Sequence, residues 1–273
     1  MPYPGGKEGE GVYQTIINLM PPHSTYIEPF LGGGAVMRMK RPAAVNIGLD
    51  MDWDVIHQIR RWRPPSSETA IVPVQTSTIV KNSDTESTIA ISSVARSSLV
   101  TPGDTRDREP RFEFLFRDAI PFLKSYPFTG DELVYCDPPY MHETRKKLKL
   151  YKFEMTDKQH ETLLETILKL PCMVMISGYY TPLYAEKLAQ WQVRTFQTTN
   201  RAGQLTKEWL WFNYPEPVAL HDYRYLGTGF RERERIKRKT ARWRGKLARM
   251  PVLERRALLA AMDVLKGRED ERA

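Results

Sequence analysis

The sequence predicts an α/β protein: a seven-stranded, mostly parallel sheet covered on both faces, with a small insertion and a basic helical C-terminal extension. Short apolar runs alternate with helical patterns along most of the chain, as they do where crossover helices join parallel strands. Between residues 66 and 107 the composition changes, with 16 Ser or Thr in 42 positions. From residue 221 to the end, 16 Lys and Arg stand against 8 Asp and Glu, an excess equal to the +8 of the whole chain.

A Gly-rich entry leads into a helix near Gly11 to Met20, and Thr25 to Glu28 reads as the first strand. Glu28-Pro29-Phe30-Leu31-Gly32-Gly33-Gly34 then turns into a helix-like stretch, Ala35 to Met39, before a second strand at Ala44 to Leu49. The Ser/Thr-rich segment contains Ala70-Ile71-Val72 and Thr88-Ile89-Ala90-Ile91, which favour short strands in an ordered insertion over a disordered linker. Patterning resumes with a strand at Phe112 to Phe116, a helix at Ala119 to Ser125 and a strand at Glu132 to Cys136. A helix at Asp157 to Leu170, a strand at Cys172 to Ser177 and a helix at Tyr184 to Gln190 follow, then strands at Gln192 to Thr198 and Glu208 to Asn213. We therefore expect one domain from 1–63 and 111–219, an insertion at 64–110 and an extension at 220–273. In the extension Ile236, Thr240, Trp243, Leu247 and Met250 recur at spacings of four and three on an Arg-rich helix. Pro251 ends that helix and opens another, Val252 to Leu265, with an apolar face of Leu253, Leu258, Leu259, Met262 and Leu265. This stripe must be buried on its own domain, or pair two subunits while the Arg face meets nucleic acid.

With 41% hydrophobic residues the chain has the composition of a globular protein, and no apolar run approaches the roughly 18 residues of a membrane helix. The N-terminus lacks the basic and apolar regions of a signal peptide. Cys136 and Cys172 both lie among apolar neighbours, the pattern of buried reduced thiols. These features lead us to expect a cytoplasmic protein.

Asp137-Pro138-Pro139-Tyr140 leaves the end of a buried strand, where parallel sheets place their ligands. Two prolines fix φ and bring no N–H, so the Asp137 carboxylate and the Pro138 carbonyl form a rigid set of acceptors. Tyr140 adds a flat ring beside them. Such a cradle fits a planar group bearing an NH₂, whose lone pair it would point at an electrophile. A carboxylate is too weak a base to deprotonate an aryl amine beforehand, so Asp137 is expected to orient the amine and take the proton as the new bond forms. A chance turn of this composition should occur in roughly one chain in a thousand of this length. The Glu28 to Gly34 turn lets backbone approach a nucleoside closely, and Leu49-Asp50-Met51-Asp52 puts an acid where nucleotide-type sheets hold a ribose. Without a Lys-Ser/Thr ending there is no triphosphate site, and S-adenosylmethionine fits.

These motifs resemble the DNA adenine methyltransferases, the amino-methylating family in its alpha arrangement, over about residues 2 to 215. The likeness runs through Tyr3-Pro4-Gly5-Gly6-Lys7, the Glu28 to Gly34 loop, Leu49 to Asp52, Arg117-Asp118-Ala119, Asp137 to Tyr140, Val174-Met175-Ile176-Ser177 and Glu208-Trp209-Leu210-Trp211-Phe212-Asn213. It implies a Rossmann-like methyltransferase sheet and S-adenosylmethionine as cofactor. Tyr3, Gly6 and Lys7 would border the methionine end of the cofactor, with Lys7 near its carboxylate. Phe30, Gly32 and Gly34 would pack on it, Asp50 would hold its ribose and Asp118 would sit near its adenine, with Glu28, Pro29 and Met51 also in the site. Asp137, Pro138, Pro139 and Tyr140 would grip an adenine flipped out of double-stranded DNA, since N6 of a stacked base cannot reach the sheet. The aspartate before Pro-Pro favours adenine over cytosine. In the resemblance the insertion reads the target sequence, but here it is short and poor in Arg and Lys. Phosphate contacts are therefore expected from Arg145, Lys146, Lys147 and Lys149, from Arg201, and from Arg235, Arg238 and Arg242 of the tail. A nucleoid-associated enzyme, with a homodimer through the C-terminal helices, is the picture that results. The same chemistry on RNA, and a DNA-binding regulator without turnover, are the other readings.

Overall fold

In the computed structural model, which describes residues 6–9, 11–62, 109–145, 150–199 and 204–270, seven strands form one sheet. They are β1 (Thr25–Glu28), β2 (Val45–Asp50), β3 (Arg111–Phe116), β4 (Glu132–Cys136), β5 (Met173–Gly178), β6 (Gln192–Thr199) and β7 (Leu205–Phe212). Their order is β3-β2-β1-β4-β5-β7-β6. All neighbours from β3 to β5 run parallel, whereas β7 runs antiparallel to both β5 and β6. This is the mixed, mostly parallel seven-stranded sheet that the sequence predicts. The chain winds outward from β1 through β2 to β3, then returns to build the other half from β4. The switch between β1 and β4 opens a crevice at the carboxyl ends of the strands.

Helices α1 (Val12–Ile17), α2 (Ala35–Met39) and α3 (Trp53–Ile59) belong to the first half, and α4 (Ala119–Ser125), α5 (Asp157–Ile167) and α6 (Pro182–Lys187) to the second. Two apolar clusters fill the core. One joins Val12, Ile16, Met20 and Ile56 to Tyr26 and Tyr135, and the other joins Leu123, Leu163, Leu164 and Ile167 to Ile27, Val134 and Ile176. Neighbouring residues of one strand thus serve opposite faces, Tyr135 one cluster and Val134 the other, as the two-residue period of a strand requires.

Local chemistry sets the boundaries. Asp118 caps α4 by accepting from the Ile120 N–H at 3.0 Å, and Thr156 with Gln159 forms a reciprocal capping box on α5. The bounds expected for β1, α2, α4 and β4 are the observed ones. Helix α5 stops at Ile167, short of the expected Leu170, and α6 begins two residues early because Thr181 caps it and Pro182 occupies its first turn. Helix α3 has no counterpart in the sequence reading; its cap, Asp52, lies in the acidic run read as part of a binding motif. The insertion expected at 64–110 falls outside the described residues, except Glu109 and Pro110.

Two long helices, α7 (Phe230–Arg249) and α8 (Val252–Asp270), complete the chain. Between residues 230 and 265 neither buries a side chain, so the stripe does not dock on its own domain. Before them, His221, Asp222 and Arg224 strap the chain to the first half. The His221 N–H donates to the Met20 carbonyl at 2.9 Å, Asp222 accepts from the Arg41 N–H at 2.8 Å, and the Arg224 guanidinium donates to the Met39 carbonyl at 2.7 Å. These bonds tie residues 221 to 224 to the first half. Among the described residues, no helix is long and apolar enough to cross a membrane.

Candidate active site

The crevice at the switch point is a cleft of about 640 Å³, within the usual size of small-molecule sites. Its walls come from the loops after β1, β2 and β4 and from α3. Gly6, Lys7, Glu28, Pro29, Phe30, Gly32, Gly34, Asp50, Met51 and Asp118 all line it, together with Asp137, Pro138 and Pro139. The structure therefore brings together every expected cofactor residue except Tyr3, which lies outside the described residues. Val55, Gln58, Ile59 and Trp62 form a wall that the sequence reading did not anticipate.

The loop after β1 is shaped by glycine. Gly34 has φ 61°, a left-handed conformation that side chains resist, and a Cβ there would come within 3.2 Å of Ile59 Cδ1. Gly32 has φ 48° and donates its N–H to Asp50 Oδ2 at 2.8 Å, while Asp50 Oδ1 accepts from the Asp52 N–H at 2.7 Å. Burial raises the Asp50 pKa against these bonds. Backbone N–H groups of Asp52, Gly32 and Met51 hold the carboxylate at the cleft wall, leaving it acceptor capacity for a hydroxyl.

Across the cleft, the buried strand Leu133-Val134-Tyr135-Cys136 delivers Asp137 to the carboxyl edge. Both oxygens of Asp137 accept from the Lys7 ammonium, at 2.6 and 2.7 Å, and one accepts from Ser177 Oγ at 3.1 Å. The same ammonium lies 2.9 Å from Glu208 Oε1 and 3.1 Å from the Tyr140 hydroxyl, which in turn donates to Glu208 at 3.1 Å. Lys7 and Glu208 are almost wholly buried, with side chains 3% and 1% exposed. Burial works to lower the Lys7 pKa, but the Asp137 and Glu208 carboxylates override it and hold the pKa well above that of an ordinary lysine. Burial raises the pKa of Glu208, with Lys7 opposing it. Tyr140 is buried; that burial, then Glu208 and Asp137, push its hydroxyl well up, so the phenol stays neutral. Its ring lies 4.4 Å from Tyr179 and 6.3 Å from Tyr151, and it borders not the main cleft but a small adjoining cavity of about 10 Å³ shared with Pro138, Pro139 and Tyr179.

The sequence reading sends Lys7 toward the cofactor carboxylate, whereas the structure shows it on Asp137 and Glu208. Arg145 also differs. Expected at a phosphate, it is only 5% exposed and grips Glu154 at 2.9 and 2.6 Å. Burial works to raise the Glu154 pKa, but Arg145 and the N–H groups of Tyr151 and Leu150 bring it down to about 2. The loop this clamp shapes also reaches over the cleft, where Lys152 meets Asp52 at 2.7 Å and Asp54 at 2.8 Å. Lys146, Lys147, Lys149 and Arg201 lie outside the described residues. Arg235, Arg238 and Arg242 are exposed on α7, where spacings of three and four put them on one face.

Residues 114–189, from within β3 to just beyond α6, match the family described as D12 class N6 adenine-specific DNA methyltransferase. No curated protein matches the chain. Among solved structures, the N-methyltransferase NodS from Bradyrhizobium japonicum WM9 is similar at 9% identity, over 74% of this chain and 93% of that one, with TM-score 0.41. The 23S rRNA methyltransferase ErmE is similar at 10% identity, over 79% and 71%, with TM-score 0.40. A dimethyladenosine transferase from Plasmodium falciparum is similar at 10% identity, over 76% and 62%, with TM-score 0.39.

Proposed function

We propose that this protein is an S-adenosylmethionine-dependent methyltransferase that modifies N6 of an adenine flipped out of double-stranded DNA. The observation that carries this reading is the joining of two half-sites in one crevice: the glycine-shaped nucleoside loop with Asp50, and the acceptors of Asp137, Pro138 and Pro139. The match over residues 114–189 supports the same chemistry.

When bound, S-adenosylmethionine supplies an electrophilic methyl group on a sulfonium. Gly32 and Gly34 would shape the turn that holds it, Asp50 would accept from a ribose hydroxyl, and Phe30, Met51 and Asp118 would complete the wall. Asp137 and the Pro138 carbonyl take the two N–H groups of the target amine, turning its lone pair outward. Asp137 would receive the proton as the N–C bond forms and the methyl–sulfur bond breaks, its electron pair staying with the departing thioether. The rigid prolines keep this geometry without reorganisation, and the neutral Tyr140 ring stacks on the base. Arg235, Arg238 and Arg242, with the basic stretch of Lys146, Lys147 and Lys149 and with Arg201, hold phosphates. The exposed apolar residues of α8 pair two copies. A cytoplasmic enzyme acting at the nucleoid follows from this reading.

Transfer of tritiated methyl groups to duplex DNA and to RNA tests the proposal. Label recovered as N6-methyladenine in DNA is the expected result. Label in RNA alone would move the substrate to RNA, and no transfer to either would leave a regulator with this fold.

A further inference from the structure

We propose that Glu208 is a positioning residue of this centre, holding the Lys7 ammonium and the Tyr140 hydroxyl so that Asp137 can exchange its lysine for the amine of the target base. The inference rests on the methyl-transfer reading above. As the site stands, both Asp137 oxygens are taken by the Lys7 ammonium, itself a nitrogen bearing several N–H donors. Lysine thus occupies the acceptors that an incoming NH₂ requires.

An ammonium paired with Asp137 alone could not withdraw, because leaving would strand a buried, unpaired charge. Glu208 Oε1, 2.9 Å from the same nitrogen, gives it a second anion to rest on. Lys7 can therefore slide from Asp137 toward Glu208 without leaving the protein interior. The Tyr140 hydroxyl donates to the same oxygen, so Glu208 also fixes the rotation of the ring on which the base would stack. Its place in the fold explains its reach. Because β7 runs antiparallel, its early residues rather than its last lie at the carboxyl edge of the parallel strands. Glu208 directly precedes Trp209, the partner of Gly178 at the end of β5.

The test uses the full chain with Glu208→Gln, Lys7→Met and both together. Glutamine keeps the shape of the side chain and leaves Lys7 charge-balanced by Asp137, so the fold should persist, as a melting curve would verify. For Glu208→Gln we expect kcat on duplex DNA to fall about 10- to 100-fold, the loss when an ion-paired hydrogen bond to the ammonium gives up its negative partner. The cofactor Kd should stay unchanged. In the Lys7→Met background the same substitution should cost far less, because the charged group that Glu208 holds has gone and only its bond from Tyr140, which a glutamine oxygen can still accept, remains. Wild-type kcat in Glu208→Gln, or the same loss in both backgrounds, would overturn the inference alone. Wild-type protein that methylates neither DNA nor RNA would sink both this inference and the reading beneath it.

Discussion

The Lys7 ammonium lies 2.6 Å and 2.7 Å from the two carboxylate oxygens of Asp137, a residue 130 positions further along the chain. Replacing Asp137 by Ala does not orphan that ammonium, because Glu208 still stands 2.9 Å away. The variant should therefore fold and bind cofactor normally, while methyl transfer falls by about 100- to 10,000-fold, the range for losing an orienting group and its proton acceptor. Single-turnover transfer beside cofactor titration separates the two effects. A variant that keeps most of its transfer would show that Asp137 does not orient the amine.

Gly34→Ala should weaken cofactor binding and destabilise the fold by about 1–2 kcal/mol, the cost of a side chain at a left-handed position. The Cβ would also press on Ile59, 3.2 Å away. Thermal unfolding with and without cofactor measures both changes. A wild-type melting temperature would mean that the turn relaxes to a different conformation.

The Arg145–Glu154 clamp carries a pH dependence of definite sign. Glu154 falls from an ordinary 4.5 to about 2 in the folded protein, so its contribution is complete above about 4.5 and is lost as the pH drops toward 2. Hydrogen exchange across residues 150–155 should accelerate over that acidic window in wild-type protein. In Glu154→Gln it should be fast at neutral pH already.

Lys152 joins the loop over the cleft to Asp52 and Asp54 on the opposite side. Lys152→Ala should speed cofactor release, and the dependence of release on ionic strength should shrink with it. Stopped-flow displacement at two salt concentrations reads both.

For the tail, the strap through His221, Asp222 and Arg224 decides where to cut. Removal of everything after Gly227 keeps that strap and should leave cofactor binding intact. The slope of log K for DNA against log salt should drop by about 0.9 for each phosphate the tail no longer neutralises. Arg235→Ala, Arg238→Ala and Arg242→Ala together should reproduce most of that drop. Sedimentation of the truncated and full chains reports whether α8 pairs two copies.

The local signals in the sequence carried much of this architecture. Strand β4 and helix α4 were legible to the residue because a buried apolar run and an Asp118 cap announce their ends. Helix α5 read too long because Leu168 and Leu170 continue its apolar spacing past the point where the helix stops. Helix α3 was hidden because Asp52 serves as its cap while standing in a motif that invites a binding role. The cleft residues on the loops after β1, β2 and β4 could be named, since each lies in a short motif at a strand end, whereas Val55, Gln58, Ile59 and Trp62 on and after the unread α3 could not. The partner of Lys7 could not, because no local pattern ties residue 7 to 137 or 208; only the closed sheet does. Arg145 misled for a related reason, its neighbour Glu154 lying beyond a basic run that looks like a phosphate grip.

The reversed direction of β7 has a consequence for biosynthesis. Because this last strand of the sheet to be made carries Glu208, a growing chain that has already released Asp-Pro-Pro-Tyr and the glycine loop still lacks one wall of the centre. On the role proposed for Glu208, the centre stays incomplete until β7 has been made, and fragments ending before β7 should be inert whatever motifs they contain.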